Sequence, residues 1–592
     1  MEHLHLEHVL QTVCVLESVV LRSFGPEGGQ VLFTRDTGQA MLSRSGSRIL
    51  TALRLEHPLA RMMVECVLKH STVTGDGSKT FILLLASLLR MIQKTACKEP
   101  NVSHTYNSRE TAEASTARHL ADKMLAFALE ELDDIIAMGV VPYGCCLSWE
   151  DFTAKTKLPA CTINHCVQKL LASFFHSRLG RTHCDFISNL TCEMLTHWKF
   201  KRDLPSSSLQ FVNDNFAALH TPVSGFPISC SRLIEGQVIH RDFATPCPQT
   251  DHQPVKAVVV TGCLQPKLLN AGEVLVLGCG EQGREENSRK ESSIVQFTAW
   301  LQSLGASVLL SAVKQSAAVL ALAAQAEMCI VECVSEDELS LFAQLIKIEL
   351  FLFHRYVHVA FHDSEERVTV KPCSLVICGT GEGQTDQYAC AFQDAIRMLL
   401  STWKPIGITA TTASKKTFQP DKSTCLHVDN QIVKASPFQQ YVLEPGCVIP
   451  AGGTFEFLLN HALLQHGSSC SISDDTIMGV PAVSQLLANA LLSVPRHIYS
   501  YSLRRFLQTQ TRLLKTDVSS VQVFTSDSGL ESVSCKYQLL VAVLQCVSSL
   551  LHVDTVLHTH TALHTPSHRL ANISWEGTED ERNTNSILTS FW

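Results

Sequence analysis

The chain has 592 residues, 45% of them hydrophobic and 18% charged, enough to build three to five packed domains and too apolar to be disordered. The 48 Lys and Arg against 56 Asp and Glu leave a net charge of −8 with no basic block, which argues against a nucleic-acid partner. The 23 cysteines are far below the density of a small disulfide scaffold.

The N-terminus, "MEHLHLEHVLQTVCVLESVVL", mixes His and Glu into its apolar residues and is not a secretory signal. No run of about 18 uncharged apolar residues appears, so no membrane span is expected. The reading is a cytoplasmic chain with free cysteines, in which the sequons at Asn101, Asn189 and Asn572 carry no glycan.

Along the chain, Leu6, Val9, Leu10, Val13, Leu16 and Val20 recur at helical spacing. That helix stops at "SFGPEGG", where Gly25, Pro26, Gly28 and Gly29 break it. "QVLFTRDTGQAMLS" predicts a hairpin around Asp36-Thr37-Gly38. "LEHPLARMMVECVLKHS" and "GSKTFILLLASLLRMIQK" predict two apolar helices, Lys98 to Glu113 a polar loop, and "ASTARHLADKMLAFALEELDDIIAMGV" a further helix.

Between about 206 and 370, short β-rich runs alternate with helical ones, which predicts an α/β domain. From about 450 long apolar helices return, so the two α-helical ends are expected to form one discontinuous domain with the α/β part inserted. The last twenty or so residues are polar and expected to be mobile.

"GDGSKT", Gly75 to Thr80, joins two of the predicted helices. Amide groups at a helix N-terminus bind anions, and glycine lets the backbone approach them closely. An aspartate there repels phosphate unless a cation intervenes, so Asp76 suggests a Mg²⁺ ligand. Taken alone, the hexapeptide is more often a plain helix cap. The chain lacks G-x-x-x-x-G-K-[ST] and is not a P-loop NTPase.

The ordered set of motifs is more specific. "SFGPEGG", "LSRSGSRIL", "LEHPLARMMVE", "GDGSKT", "SRLIEGQVI", "FQDAIRML", "VIPAGGTFEFLL" and "GLESVSCKYQLL" each resemble a stretch of group II (TCP-1/CCT-type) chaperonin subunits, in the same order, over almost the whole chain. Within that family the sequence is most similar to the divergent branch linked to Bardet–Biedl syndrome. The resemblance implies an α/β multi-domain subunit. An equatorial domain would span 1–156 and 403–592, an intermediate domain 157–205 and 371–402, and an apical domain 206–370.

It also implies an ATP and Mg²⁺ site. Gly25 and Pro26 match the first nucleotide loop. Asp76, Gly77, Ser78 and Thr80 match the phosphate loop, with Asp76 as the metal ligand. Gly452 and Gly453 match the glycines near the nucleoside. Asp394, which alone would read as a solvated helix carboxylate, matches the carboxylate that activates water.

Three departures limit the chemistry. Ser45 stands where the family has the aspartate of N-D-G, and losing one positioned acid or base costs about 10²- to 10⁴-fold in rate. Glu27 replaces the lysine of G-P-K-G, and Lys79 replaces a threonine and could offset that charge. Such a pair at ~4 Å is worth about 4 kcal/mol in Coulomb terms at an effective dielectric constant near 20. Nucleotide binding with weak or absent hydrolysis is therefore expected. The family's N-terminal strand is also missing ahead of the first predicted helix, which argues against a homo-oligomeric double ring.

The function implied is a divergent chaperone that assists assembly of a specific complex, the BBSome, for cilium biogenesis and ciliary trafficking. Its partners would be sister chaperonin-like Bardet–Biedl proteins and CCT subunits, at the centrosome, basal body and cilium. The competing readings are a conventional ATP-hydrolysing foldase ring subunit, disfavoured by Ser45, and a nucleotide-independent scaffold, disfavoured by Asp76 and Asp394.

Other patterns weigh less. "GCGEQG" (Gly278, Gly280, Gly283) fits G-x-G-x-x-G, but a charged run rather than a helix follows it, so the dinucleotide reading fails. By alignment it falls at the apical protrusion. His552, His558, His560, His564 and His568 lack a completing ligand set for zinc, and Cys161, His165 and Cys166 lie in a helical pattern where cysteine packs as an apolar residue.

Overall fold

A computed structural model describes residues 2–3, 5–34, 38, 40–97, 106–147, 166–198, 205–245, 256–262, 306–345, 351–353, 356–358, 373–404, 445–470, 480–515 and 529–556. The described chain is mostly helical, with short strands.

The predicted first helix is Leu6–Leu21 and buries Val9, Val13, Leu16 and Val20. The hairpin pairs Val31–Thr34 antiparallel with Ala40–Ser43. Asp36 and Thr37 lie outside the described residues. Helix Pro58–Thr74 opens on a proline with His57 Nδ1 accepting from the Leu59 amide at 3.2 Å, and ends on Gly75 at φ +67°. Helix Ser78–Ala96 follows Gly77 at φ +82°. Two left-handed glycines therefore bracket Asp76, a conformation that L side chains rarely adopt.

A single apolar core joins these N-terminal helices to the C-terminal ones. Phe81, Ile82 and Leu85 pack in it with Leu459, Leu463, Leu487, Val543 and Leu544. Fully burying such a side chain is worth about 1.5–3 kcal/mol, so the distant ends of the chain are held together by apolar packing. A second core gathers helices Cys166–Leu179, Cys184–His197 and Glu382–Trp403 with strand Cys373–Gly379. That strand runs parallel to His220–Ser224 and antiparallel to Arg232–Glu235.

Between about 206 and 370 the described residues include a parallel sheet of Lys256–Val260, Ala306–Ser311 and Cys329–Val331. Helices Ala317–Gln325 and Glu336–Leu345 alternate with its strands. The predicted alternation is thus present there. "EVLVLGC", "SIVQFTAWLQSLG" and the Gly278-Gly280-Gly283 stretch lie outside the described residues.

Two expectations are corrected. The polar stretch ending at Glu113 is not all loop, because helix Tyr106–Glu130 already covers its second half. A strand does precede the first helix: Glu2–His3 pairs antiparallel with Thr555–Val556. Two residues give no periodicity, and the partner lies at the far end of the chain, so the sequence carried no signal for it. One described helix, Val533–Leu551, is long and apolar enough to cross a membrane. It carries Lys536 and lies mostly buried in the shared cores, with Val533, Leu540, Val543 and Leu550 almost fully covered.

Candidate functional site

The turn Gly75-Asp76-Gly77 lies at one end of a cavity of about 340 Å³. The first amides of Ser78–Ala96 have no acceptor within their own helix, since its first hydrogen bond is from Phe81 to the Gly77 carbonyl at 2.8 Å. Helix Leu6–Leu21 ends into Phe24, Gly25 and Pro26, which form a second wall. Strand Cys447–Pro450 pairs with Leu530–Ser532 and brings Gly452 beside Glu531, whose Oε1 accepts from the Gly452 amide at 3.3 Å. Tyr499 donates its hydroxyl to the Gly452 carbonyl at 3.0 Å.

Of the residues expected here, Gly25, Pro26, Asp76, Gly77, Ser78, Lys79, Thr80 and Gly452 line the one cavity, with Ser45 beside them. Gly453, at φ +88°, does not line it. A Cβ there would lie 2.9 Å from Cβ of Pro495, so this glycine serves close packing. Asp394 stands one layer behind, on helix Glu382–Trp403, and reaches the loop through another residue.

That residue is Arg178, which sequence reasoning missed. It sits at the end of helix Cys166–Leu179, whose Ser173 Oγ accepts from the Leu530 amide at 2.8 Å and fixes the helix to the cavity wall. Its guanidinium is 4.4 Å from the Phe174 ring centroid. Its Nη1 donates to Asp394 Oδ2 at 2.9 Å and to Ser45 Oγ at 3.1 Å. Its Nη2 donates to the Gly75 carbonyl and lies 3.4 Å from Asp76 Oδ1. Its Nε is buried with no partner. A signal was present: Leu171, Phe174 and Arg178 share one helical stripe, and a charge on a buried stripe calls for partners.

Two further cations share the cavity. Arg44 is buried, with its Nη2 3.4 Å from the Gly25 carbonyl and its Nε unpaired. Lys79 donates to the Ser23 carbonyl at 2.8 Å. Burial, then Arg178 and Arg44, push its ammonium down to about 7, with Asp76 opposing. Glu27 is exposed and acts on Arg44 and His176, so the Glu27–Lys79 offset expected from the sequence is replaced by one between Glu27 and Arg44. Burial raises the Asp394 carboxyl, against the pull of Arg178 and of Arg397, whose Nη1 is 3.3 Å away. Burial also holds His70, behind Gly77, neutral by lowering it to about 4.

At the other wall Lys536 bridges Glu456 and Glu531, at 2.9 Å each. Burial alone would lower Lys536, but the two carboxylates outweigh it and its pKa rises. Cys535 beside it is pushed up to about 12 by burial and is a neutral thiol.

Among the described residues no group of three or more His, Cys, Asp or Glu could hold a metal ion. His552 pairs with Asp122 at 3.4 Å, and Cys166 packs in a core. The remaining histidines of that stretch, with Cys161 and His165, lie outside the described residues.

Comparison with known proteins agrees with the motifs. Residues 16–142 match the TCP-1/cpn60 chaperonin family. The chain is 26% identical to the BBSome complex assembly protein BBS10 of Homo sapiens over 92% of its own length and 95% of that protein's. The same figures hold for the BBS10 protein of Pongo abelii. It is 22% identical to T-complex protein 1 subunit alpha of Dictyostelium discoideum over 38% of this chain and 36% of that one. The resemblance to chaperonins, and to BBS10 proteins within them, therefore holds, and the mostly helical α/β architecture fits a chaperonin fold.

Proposed function

We propose that this protein is a chaperonin-like factor that assists assembly of a multiprotein complex, the BBSome, and that its cavity is a nucleoside-phosphate site with little or no turnover. The observation that carries the first part is similarity to BBS10 proteins over nine-tenths of both chains. The second part is supported by Gly25, Asp76, Gly77, Ser78, Thr80 and Gly452, which come from distant stretches and line one cavity.

The domain reading is an equatorial unit of residues 1–156 and 403–592, an intermediate unit of 157–205 and 371–402, and an apical unit of 206–370. The core shared by residues 9–140 and 447–551 supports the first of these. The sister chaperonin-like proteins and CCT subunits are the proposed partners, and the cytoplasm, basal body and cilium the proposed sites of action. The Glu2–His3 strand pairs within the chain, with Thr555–Val556, and the hetero-complex reading rests on similarity.

ATP is the proposed ligand. The donor set suits its phosphates, with three basic side chains and a helix N-terminus around the cavity. It suits Mg²⁺ less well, because the two carboxylates among the described lining residues are each met by a cation, Asp76 by Arg178 at 3.4 Å and Glu531 by Lys536 at 2.9 Å. When bound, ATP and Mg²⁺ would supply a cleavable phosphoanhydride and its Lewis acid. On the protein's side, Ser45 cannot act as the base a carboxylate would be, and Asp394 is engaged by two guanidiniums.

Affinity purification at native salt tests the assembly role. CCT subunits should co-purify with the protein, and their absence would remove the hetero-complex reading.

A further inference from the structure

The reading of the cavity as a nucleoside-phosphate site leaves a question of charge. A phosphate loop with an aspartate in it ordinarily needs a divalent cation between carboxylate and phosphate. Here one guanidinium already contacts both Asp76, the residue that would hold such an ion, and Asp394, together with the Gly75 carbonyl and Ser45. Phe174 and the Leu530-anchored helix hold it in position. Arginine stays charged at all accessible pH and offers a planar fork of donors suited to phosphate.

Arg178 is not fully used by these contacts. Its Nε, and that of Arg44, are buried and unpartnered on side chains that line the cavity. Both Nε–H groups are closed off from the cavity, so what these two side chains offer an occupant is their positive charge. Lys79 lines the cavity as well, its ammonium lowered to about 7 by burial and so partly charged near neutrality. Asp394 is shared between Arg178 and Arg397, Asp76 lies 3.4 Å from Arg178, Glu27 acts on Arg44, and Glu531 on the opposite wall is held by Lys536. With Asp76 and Asp394 both engaged by guanidiniums, little carboxylate charge is left to draw in a divalent cation.

We propose that Arg178 stands in the metal's place, so that the site binds the phosphates of a nucleoside diphosphate or triphosphate directly and without a divalent ion. Arg178, Arg44, Lys79 and the amides of Ser78 to Thr80 are the phosphate donors. The occupant differs from that of a metal-dependent phosphate loop in carrying its full negative charge into the cavity, and it stays uncleaved because no Lewis acid is drawn in with it.

The test is calorimetric titration of ADP into the full chain, in magnesium and again in EDTA. The expected result is the same Kd in both, within about threefold. Arg178→Ala should weaken binding in EDTA by about 10- to 100-fold, the worth of a charge-assisted fork. If Arg178→Ala does not fold, Arg44→Gln probes the same donor set and should also weaken binding in EDTA. Binding in magnesium that vanishes in EDTA would overturn the proposal and leave the nucleotide site standing. So would an Arg178→Ala protein that binds as the wild type does in EDTA. Absence of binding in both conditions would overturn the nucleotide site itself, and this inference with it.

Discussion

Arg178 and Asp394, 216 positions apart in sequence, are joined by a buried ion pair of 2.9 Å that ties helix Glu382–Trp403 to the Gly75-Asp76-Gly77 turn. Breaking a buried pair by removing one partner leaves the other charge uncompensated and typically costs 3–5 kcal/mol. Arg397 still faces Asp394 after Arg178 is lost, so Arg178→Ala should cost about 3 kcal/mol in urea unfolding, the low end. The double variant Arg178→Ala/Asp394→Ala should cost clearly less than the sum of the singles. Strict additivity would mean that the pair is not coupled.

Catalysis should be minimal. Wild-type phosphate release from Mg·ATP is expected at background, and Asp394→Ala should leave it unchanged, because the carboxylate is engaged by Arg178 and Arg397 rather than aimed at water. Robust release that Asp394→Ala abolishes would refute this and restore the foldase reading.

The backbone of helix Glu382–Trp403 packs directly on a glycine. At Gly75, φ is +67° and a Cβ would lie 2.0 Å from the Asp394 carbonyl oxygen. Gly75→Ala should therefore cost more than the 1–2 kcal/mol of a left-handed L residue alone, roughly 3 kcal/mol once helix Glu382–Trp403 is pushed off. Thermal unfolding checks this. Gly25→Ala, also at positive φ but with open space around its Cβ, should pay the backbone cost only.

How far the sequence was legible follows from where each signal lies. Asp76, Gly77 and Thr80 could be placed at a glycine turn opening a helix because that is a local pattern, and Leu6 to Val20 on a helix because a helix repeats its apolar face within a few turns. Arg178 gave only the local signal of a charge on a buried stripe, and which partners it meets depends on Ser45, Gly75, Asp76 and Asp394 arriving from three other segments. Gly453 was read as a nucleoside contact by its neighbour's pattern, whereas packing against Pro495 explains it. The Glu2–His3 strand was invisible for a related reason, since two residues define a strand only through a partner at Thr555–Val556.

The pH dependence of ADP binding should trace to Lys79. Burial beside Arg178 and Arg44 lowers its ammonium from 10.5 to about 7, so near neutrality a large share of the unliganded protein carries a neutral Lys79. For stability of the free protein the sign is set by proton count. Between about 7 and 10.5 the unfolded chain holds a proton on Lys79 that the folded one lacks, so this residue makes stability rise with pH across that window. For binding the sign is opposite. An anion in the cavity favours the charged amine, so binding takes up a proton above about pH 7, and affinity falls as pH rises. The loss should approach, at most, about tenfold per pH unit from about pH 7 to about 9, with a plateau below. Lys79→Arg, charged throughout, should flatten the profile, and Lys79→Met should bind weakly and without this slope. A wild-type affinity that is level from about pH 7 to about 9 would show that Lys79 does not meet the phosphates.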